Sequence, residues 1–259
     1  MGKVIAFSNQ KGGVGKTTTC VNMASYLASL GKKVLIIDLD PQGNATTGIG
    51  INKGGVKNAI YQVLTDDVEI KDACIATEIE NLYIVPSTID LAGAEVELVY
   101  LKNREKRLCE AVKNALNDYD YIAIDCPPSL GLLTINALTC ADGIIIPIQC
   151  EYYALEGLSQ LLNTIKLVKK HLNPKLDIKG VSLTMYDGRA IVSRQIAMEI
   201  RKYFGKKVFD AVIPRNIRVS EAPSHGVPIM IHAPTSKGAK AYLELTKEFL
   251  TKEGDSYVE

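Results

Sequence analysis

Tryptophan is absent from the 259 residues, and histidine occurs only three times. His171, His225 and His232 show no metal-ligand spacing, so a histidine-based metal centre is not indicated. Cysteine is present at Cys20, Cys74, Cys109, Cys126, Cys140 and Cys150, yet no two form a C-x-x-C pair. That absence argues against a zinc site or a disulfide framework, and reduced thiols in a cytosol are the plain reading. No stretch approaches the ~18 consecutive apolar residues of a membrane span. The opening MGKVIAFSNQ also lacks a basic leader followed by an apolar run, so a cytoplasmic location is expected. An excess of charge is missing too: the net charge is +1, and any contact with nucleic acid must come from local clustering.

What the chain does contain is alternation. Hydrophobic residues make up 47% and charged residues 23%, which argues against extensive disorder and for a substantial core. Short apolar runs predict strands at 4–7, 34–37, 82–85, 121–124, 143–148 and 178–183. They are too apolar to be half-exposed and read as strands covered on both faces. Helical patterns occupy 16–30, 91–98, 106–116, 133–140, 155–170, 191–203 and 237–250. Strands alternating with helices predict an α/β fold with a mainly parallel twisted sheet flanked by helices. No Pro/Gly-rich linker divides the chain, so a single domain over 1–259 is expected, with a polar tail at 252–259 expected to fray.

The sequence SNQKGGVGKTTT follows the first predicted strand and opens a helix. Phosphate binding needs that arrangement. Glycines let backbone N–H groups approach phosphate oxygens, and a helix N-terminus adds a favourable dipole. The segment Lys11, Gly12, Gly13, Val14, Gly15, Lys16, Thr17 and Thr18 therefore reads as a P-loop for ATP. Lys16 would reach the β- and γ-phosphates and Thr17 would coordinate Mg²⁺. The common pattern G-x-x-x-x-G-K-[ST] is departed from at one place: Gln10 stands where the first glycine belongs, and an additional lysine, Lys11, follows it. This is a deviant Walker A motif on P-loop NTPase architecture.

Acids end two of the apolar runs. VLIIDLDPQGN places Asp38 and Asp40 past the second strand, and YIAIDCPPS places Asp125 at the end of another. Ligands of open α/β sheets sit at those carboxyl ends, and a Walker B acid beside Mg²⁺ occupies such a position. Any one of these acids alone would equally suit a strand-terminating turn; three beside a P-loop favour the metal site. Elsewhere, residues 186–218 hold eight basic side chains against three acidic ones, a local excess of five. On charge alone this is either a solvated helix face or a surface for nucleic-acid phosphates.

Together KGGVGKTT, DLDPQGNAT and IDCPPSLG resemble the ParA family of partition ATPases, in particular its Soj-like chromosomal members. LTMYDGR at 183–189 and VIPRNIRVSEAPSHGVPI at 212–229 are similar as well, so the likeness runs from Lys3 to about Leu250. The resemblance implies a slow, Mg²⁺-dependent ATPase that cycles between a monomer and an ATP-bridged homodimer. Lys11 would reach across the two-fold interface to the partner's phosphates, and Gly12 would have to stay small where the two P-loops meet. Lys11, Lys16 and Asp40 would be catalytic, Asp40 orienting the attacking water. Asp38 and Asp125, with Thr17, would support the metal. Met185, Pro214 and Asn216 would hold adenine. The resemblance also implies non-specific binding of double-stranded DNA through Arg189 and Arg218, a ParB-like centromere-binding partner, and association with the nucleoid. Two other readings of the P-loop stay open. One is a MinD-like membrane ATPase, although the apolar face of 237–250 suits core packing and acids follow it. The other is a small-molecule enzyme, although no separate substrate constellation is visible.

Overall fold

Every strand the sequence marks falls in one seven-stranded sheet of order β3-β4-β2-β5-β1-β6-β7. The computed structural model describes residues 2–151 and 156–257. Leu155, where one helix was expected to start, lies outside them. The strands are β1 (Lys3–Phe7), β2 (Val34–Asp38), β3 (Ile75–Ala76), β4 (Leu82–Val85), β5 (Tyr121–Asp125), β6 (Gly143–Gln149) and β7 (Asp177–Thr184). All pairings are parallel except that of β3 with β4. Every residue of β2 and β5 is buried, as a strand covered on both faces requires. The edge strand β3 is two residues long and carries no apolar run, so sequence pattern could not announce it.

The helices are α1 (Lys16–Ser29), α2 (Asn44–Gly48), α3 (Ile60–Thr65), α4 (Ile70–Ala73), α5 (Leu91–Glu97), α6 (Arg107–Ala115), α7 (Leu132–Cys140), α8 (Glu156–His171), α9 (Ile191–Phe204), α10 (Ile217–Glu221), α11 (Ile229–His232) and α12 (Lys237–Glu253). They build two cores. On one face Leu35, Ile122 and Ile144 pack with α3, α5 to α9; on the other, Ile5, Ile36 and Ala123 pack with α1 and α12. Among the described residues no helix is long and apolar enough to cross a membrane.

The second core is tight where β7 meets Phe209. A Cβ placed on Gly180 would come within 2.2 Å of two ring atoms of Phe209, whose side chain is fully buried. Gly180→Ala is therefore expected to destabilise the protein by about 1–3 kcal/mol. A lower denaturant midpoint at unchanged slope would show it, and an unchanged midpoint would mean the ring has room to turn.

The tail departs from expectation. α12 begins with Ser236 accepting the N–H of Ala239 at 3.1 Å and continues to Glu253, where Gly254 (φ 72°) closes it in the left-handed conformation. Asp255 then accepts hydrogen bonds from the Tyr121 hydroxyl and from Lys3 Nζ, while Lys3 also pairs with Glu253 at 3.2 Å. Residues 252–255 are thus anchored to the N-terminal edge of the sheet, because polar side chains there find buried partners that composition alone does not reveal.

Candidate functional site

The loop between β1 and α1 leaves the centre of the sheet, since β1 is flanked by β5 and β6. Gly13 (φ 71°) and Gly15 (φ 84°) take the left-handed conformation that side chains disfavour, and so turn the loop back on itself. Val14 between them is buried, and its carbonyl accepts the Thr184 hydroxyl of β7 at 2.8 Å. Asn9 pins the other end: Nδ2 donates to the Pro147 carbonyl at 2.7 Å, and Oδ1 accepts the Lys11 N–H at 3.0 Å. Lys16 folds under the loop, its ammonium donating to the Lys11 carbonyl at 3.1 Å. Burial lowers its pKa, while Asp125 and Asp40 pull it back up. The Lys11 ammonium, by contrast, has no partner among the described residues, and a Cβ built on exposed Gly12 would meet nothing within 4 Å.

Parallel register sets Asp38 of β2 directly beside Asp125 of β5, which pairs in turn with Phe7 at the end of β1. Asp125 is fully buried, and neither carboxylate oxygen has a hydrogen-bond partner. Burial, then repulsion from Asp38 and Asp40, raises its pKa well above the usual range; the nearby Thr17 hydroxyl and Lys16 act in the opposite sense. A buried, unsatisfied carboxylate next to a hydroxyl fits a hard, oxygen-seeking cation. Among the described residues no three His, Cys, Asp or Glu side chains converge to hold a metal, so such a cation would take most of its ligands from water and phosphate.

Asp38 is also engaged within its own chain. Its Oδ2 accepts both the N–H (2.8 Å) and the hydroxyl (2.6 Å) of Thr46, and Oδ1 accepts the Asp40 N–H at 3.2 Å. These hydrogen bonds order the segment that follows β2, and burial raises its pKa to about 6. Asp40 faces the loop more openly, with Oδ1 accepting the Gln42 N–H at 2.9 Å.

These groups line a cleft of about 440 Å³. Gly12, Gly13 and Gly15 to Thr18 form its floor, and Asp40 and Gln42 one side; Pro223, Val227 and Pro228 give it an apolar wall. Met185 lines it too, in a left-handed conformation (φ 50°) uncommon for a residue with a side chain. Pro214 and Asn216 do not line it. The Asn216 side chain instead accepts the Arg218 N–H at 2.9 Å and caps α10. The wall residues come from the same 212–229 stretch, and its PxxxVP spacing was the available sign of them. Asn22 ties wall to floor, donating to the Thr18 carbonyl at 2.7 Å and accepting the Ile229 N–H at 2.8 Å.

The basic region is exposed but internally compensated. Arg189 forms a two-pronged pair with Asp187, both contacts at 3.0 Å, which holds that carboxyl at about 2. Arg218 pairs with Glu221 at 3.0 Å, Arg215 with Glu151 at 3.0 Å and Lys207 with Asp177 at 2.8 Å. Three of those acids lie outside 186–218, so the local excess counted along the sequence is smaller in space. The arginines remain available nonetheless, since the Arg189 side chain is 92% exposed and exposed pairs are weak.

Comparison with known proteins places this geometry in a family. Residues 2–178 match the AAA domain family. The sporulation initiation inhibitor protein Soj of Bacillus subtilis strain 168 is 60% identical over 96% of this chain and 98% of its own. The chromosome partitioning protein ParA of Myxococcus xanthus is 53% identical over 98% of this chain and 89% of its own. Among solved structures, cobyrinic acid a,c-diamide synthase from Mycobacterium smegmatis, with bound ATP analogue and magnesium, superposes with a TM-score of 0.85 at 38% identity, covering 95% of this chain and 93% of that one. Given the deviant phosphate loop, the in-register acids and this degree of identity along nearly the whole length, the chain belongs to the ParA/Soj family of chromosome-partitioning ATPases.

Proposed function

We propose that the protein is an ATP-gated DNA-segregation switch: it binds ATP with Mg²⁺, dimerises across the nucleotide, holds DNA non-specifically in that state and lets go after hydrolysis. The observation that carries this reading is the outer face of the phosphate loop. Among the described residues the Lys11 cation has no partner and a Cβ at Gly12 meets open space, so neither side-chain position is used there. A second copy facing this loop would supply a use for both.

Thr17 and Asp125 would hold Mg²⁺, which when bound neutralises phosphate charge and sets the γ-phosphoryl group in place. Lys16, folded under the loop, would reach the β- and γ-phosphates, and the left-handed glycines would let backbone N–H groups approach them. Asp40 lines the cleft and would orient the attacking water. Met185 with Pro223, Val227 and Pro228 forms the surface on which adenine would stack. Charge developing on the γ-phosphoryl oxygens would be met by Lys11 of the other subunit, so catalysis depends on dimerisation and turnover is expected to be slow. Arg189 and Arg218 would exchange their carboxylate partners for DNA phosphates, and a dimer doubles the number of such contacts. A ParB-like partner would stimulate hydrolysis, and the working location would be the cytoplasm at the nucleoid.

A small-molecule reaction is the competing reading, supported by the diamide synthase relative. It would need a second substrate cavity opening on the phosphate loop. Two other large cavities lie elsewhere, one between α4 and α6 and one between α8 and α9, and no residue of the loop lines either. Binding of a random-sequence DNA duplex, measured with ATP, with ADP and without nucleotide across a salt series, separates the readings. Tight binding with ATP alone, falling steeply with salt, is expected. Absent binding in all three states alongside intact ATPase activity would remove the segregation role.

A further inference from the structure

Between β2 and α2 the chain must present Asp40 to the cleft at a fixed height, and the segment that does so is short of ordinary support. α2 is five residues long and starts after Gly43 (φ 58°) with no side-chain cap. The Lys53 ammonium donates to the Gln42 carbonyl from outside, and on the buried side a single hydroxyl ties the segment to the sheet. The Thr46 Oγ1 donates to Asp38 Oδ2 at 2.6 Å and accepts the Ser87 N–H at 2.9 Å, while the Thr46 N–H donates to the same Asp38 oxygen at 2.8 Å. Asp38, Thr46 and Ser87 are all fully buried. Asp38 Oδ1 then accepts the Asp40 N–H, and the Asp40 carbonyl accepts the Gly43 N–H at 2.8 Å. A continuous hydrogen-bonded path therefore runs from the end of β4 through Thr46 and Asp38 to the backbone of Asp40.

We propose that Thr46 is the positioning residue for Asp40: its hydroxyl, clasped between the Asp38 carboxylate and the Ser87 amide, fixes where Asp40 stands over the phosphate loop. This deepens the proposed ATPase reading and rests on it. Thr46 itself does not line the cleft, and its hydroxyl is hydrogen-bonded to Asp38 and Ser87, so the path from that hydroxyl to Asp40 runs through Asp38. A hydroxyl is required because one atom must donate to a carboxylate and accept from an amide at once, which neither a methyl nor an ammonium group does. Preorganisation of a reacting group by such locked neighbours acts on the transition state more than on substrate affinity.

Thr46→Val keeps the shape and removes the hydroxyl. The expected result is a fall in ATP turnover of at least about tenfold with the KM for ATP within about twofold of the parent. Thr46→Ser restores the hydroxyl and is expected to restore turnover. Ser87→Ala keeps the N–H that Thr46 uses and is expected to leave turnover unchanged. If Thr46→Val does not fold, Thr46→Cys, with a weak donor of similar size, is read by the same criteria. Parental turnover in the hydroxyl-free variant would overturn the proposal, and so would a rise in KM matching the fall in turnover, since that marks collapse of the cleft. Amide hydrogen exchange of residues 40–46, measured without nucleotide, gives an independent reading. Exchange at least about tenfold faster in Thr46→Val is expected, and unchanged exchange would overturn the clasp. Because exchange needs no ATP chemistry, a parent protein without ATPase activity would sink the proposed function while leaving this test intact.

Discussion

Gly12→Val is expected to abolish ATP-dependent dimerisation while the monomer folds, melts and binds nucleotide as before. The structure separates the two effects cleanly. Gly12 is exposed, its φ lies outside the left-handed region, and an added Cβ meets nothing within 4 Å, so the chain itself has no reason to require glycine there. A two-fold interface presents the residue twice, so overpacking costs of about 1–3 kcal/mol per site count double. Roughly 2–6 kcal/mol corresponds to dimerisation weakened about 30-fold to more than 10⁴-fold. Sedimentation of the variant with a non-hydrolysable ATP analogue reads this directly. A dimer of parental affinity would show that the two phosphate loops do not face each other. DNA binding in ATP should fall together with dimerisation, because the doubled phosphate contacts are lost even though Arg189 and Arg218 are untouched.

Asp40→Ala is expected to reduce ATP turnover by roughly 10²–10⁴-fold, the range for loss of a positioned acid–base group, while nucleotide binding and dimerisation persist. The structural cost of the change is small. Asp40 accepts one side-chain hydrogen bond, from the N–H of exposed Gln42, which water can replace. Its negative charge is one of the groups raising the pKa of Asp125, so removing it favours the ionised form of that carboxylate. ATP-bound dimers should therefore accumulate on DNA instead of dissociating. Single-turnover hydrolysis and a DNA-release assay measure the two halves, and parental turnover would end the water-orienting role.

The sheet was legible because its strands are buried on both faces. Ile36, Ile37, Ile122 and Ile144 leave no polar alternation to confuse with a surface strand. The phosphate loop and its acids were legible for a related reason: glycines with imposed φ values, and carboxylates ending apolar runs, have few other uses. Short elements were not. α2, α3, α4, α10 and α11 have four to six residues each, too few for a helical period, and they are held by tertiary contacts such as Thr46 with Asp38 or Asn22 with Ile229. Sequence shows that an acid is present at Asp38 but not the hydrogen bonds its oxygens accept from Thr46 and Asp40. The basic stretch was overcounted since its acidic partners Glu151, Asp177 and Glu221 lie outside it in sequence. Of the residues expected at adenine, Met185 lines the cleft while Pro214 and Asn216 do not, and the apolar wall falls a few residues later, at Pro223, Val227 and Pro228.

The clasp joining Lys3 to Glu253 and Asp255 gives the molecule a handle. It sits where β1 starts, and the phosphate loop leaves where β1 ends, roughly 16 Å away for a strand of five residues. Lys3 and Asp255 thus lie together on the side of the sheet turned away from the cleft. A fluorophore or surface tether attached at an exposed position beside them would report on the protein without standing between two facing cleft surfaces. Single-molecule observation of assembly on DNA could then proceed from the back of the molecule.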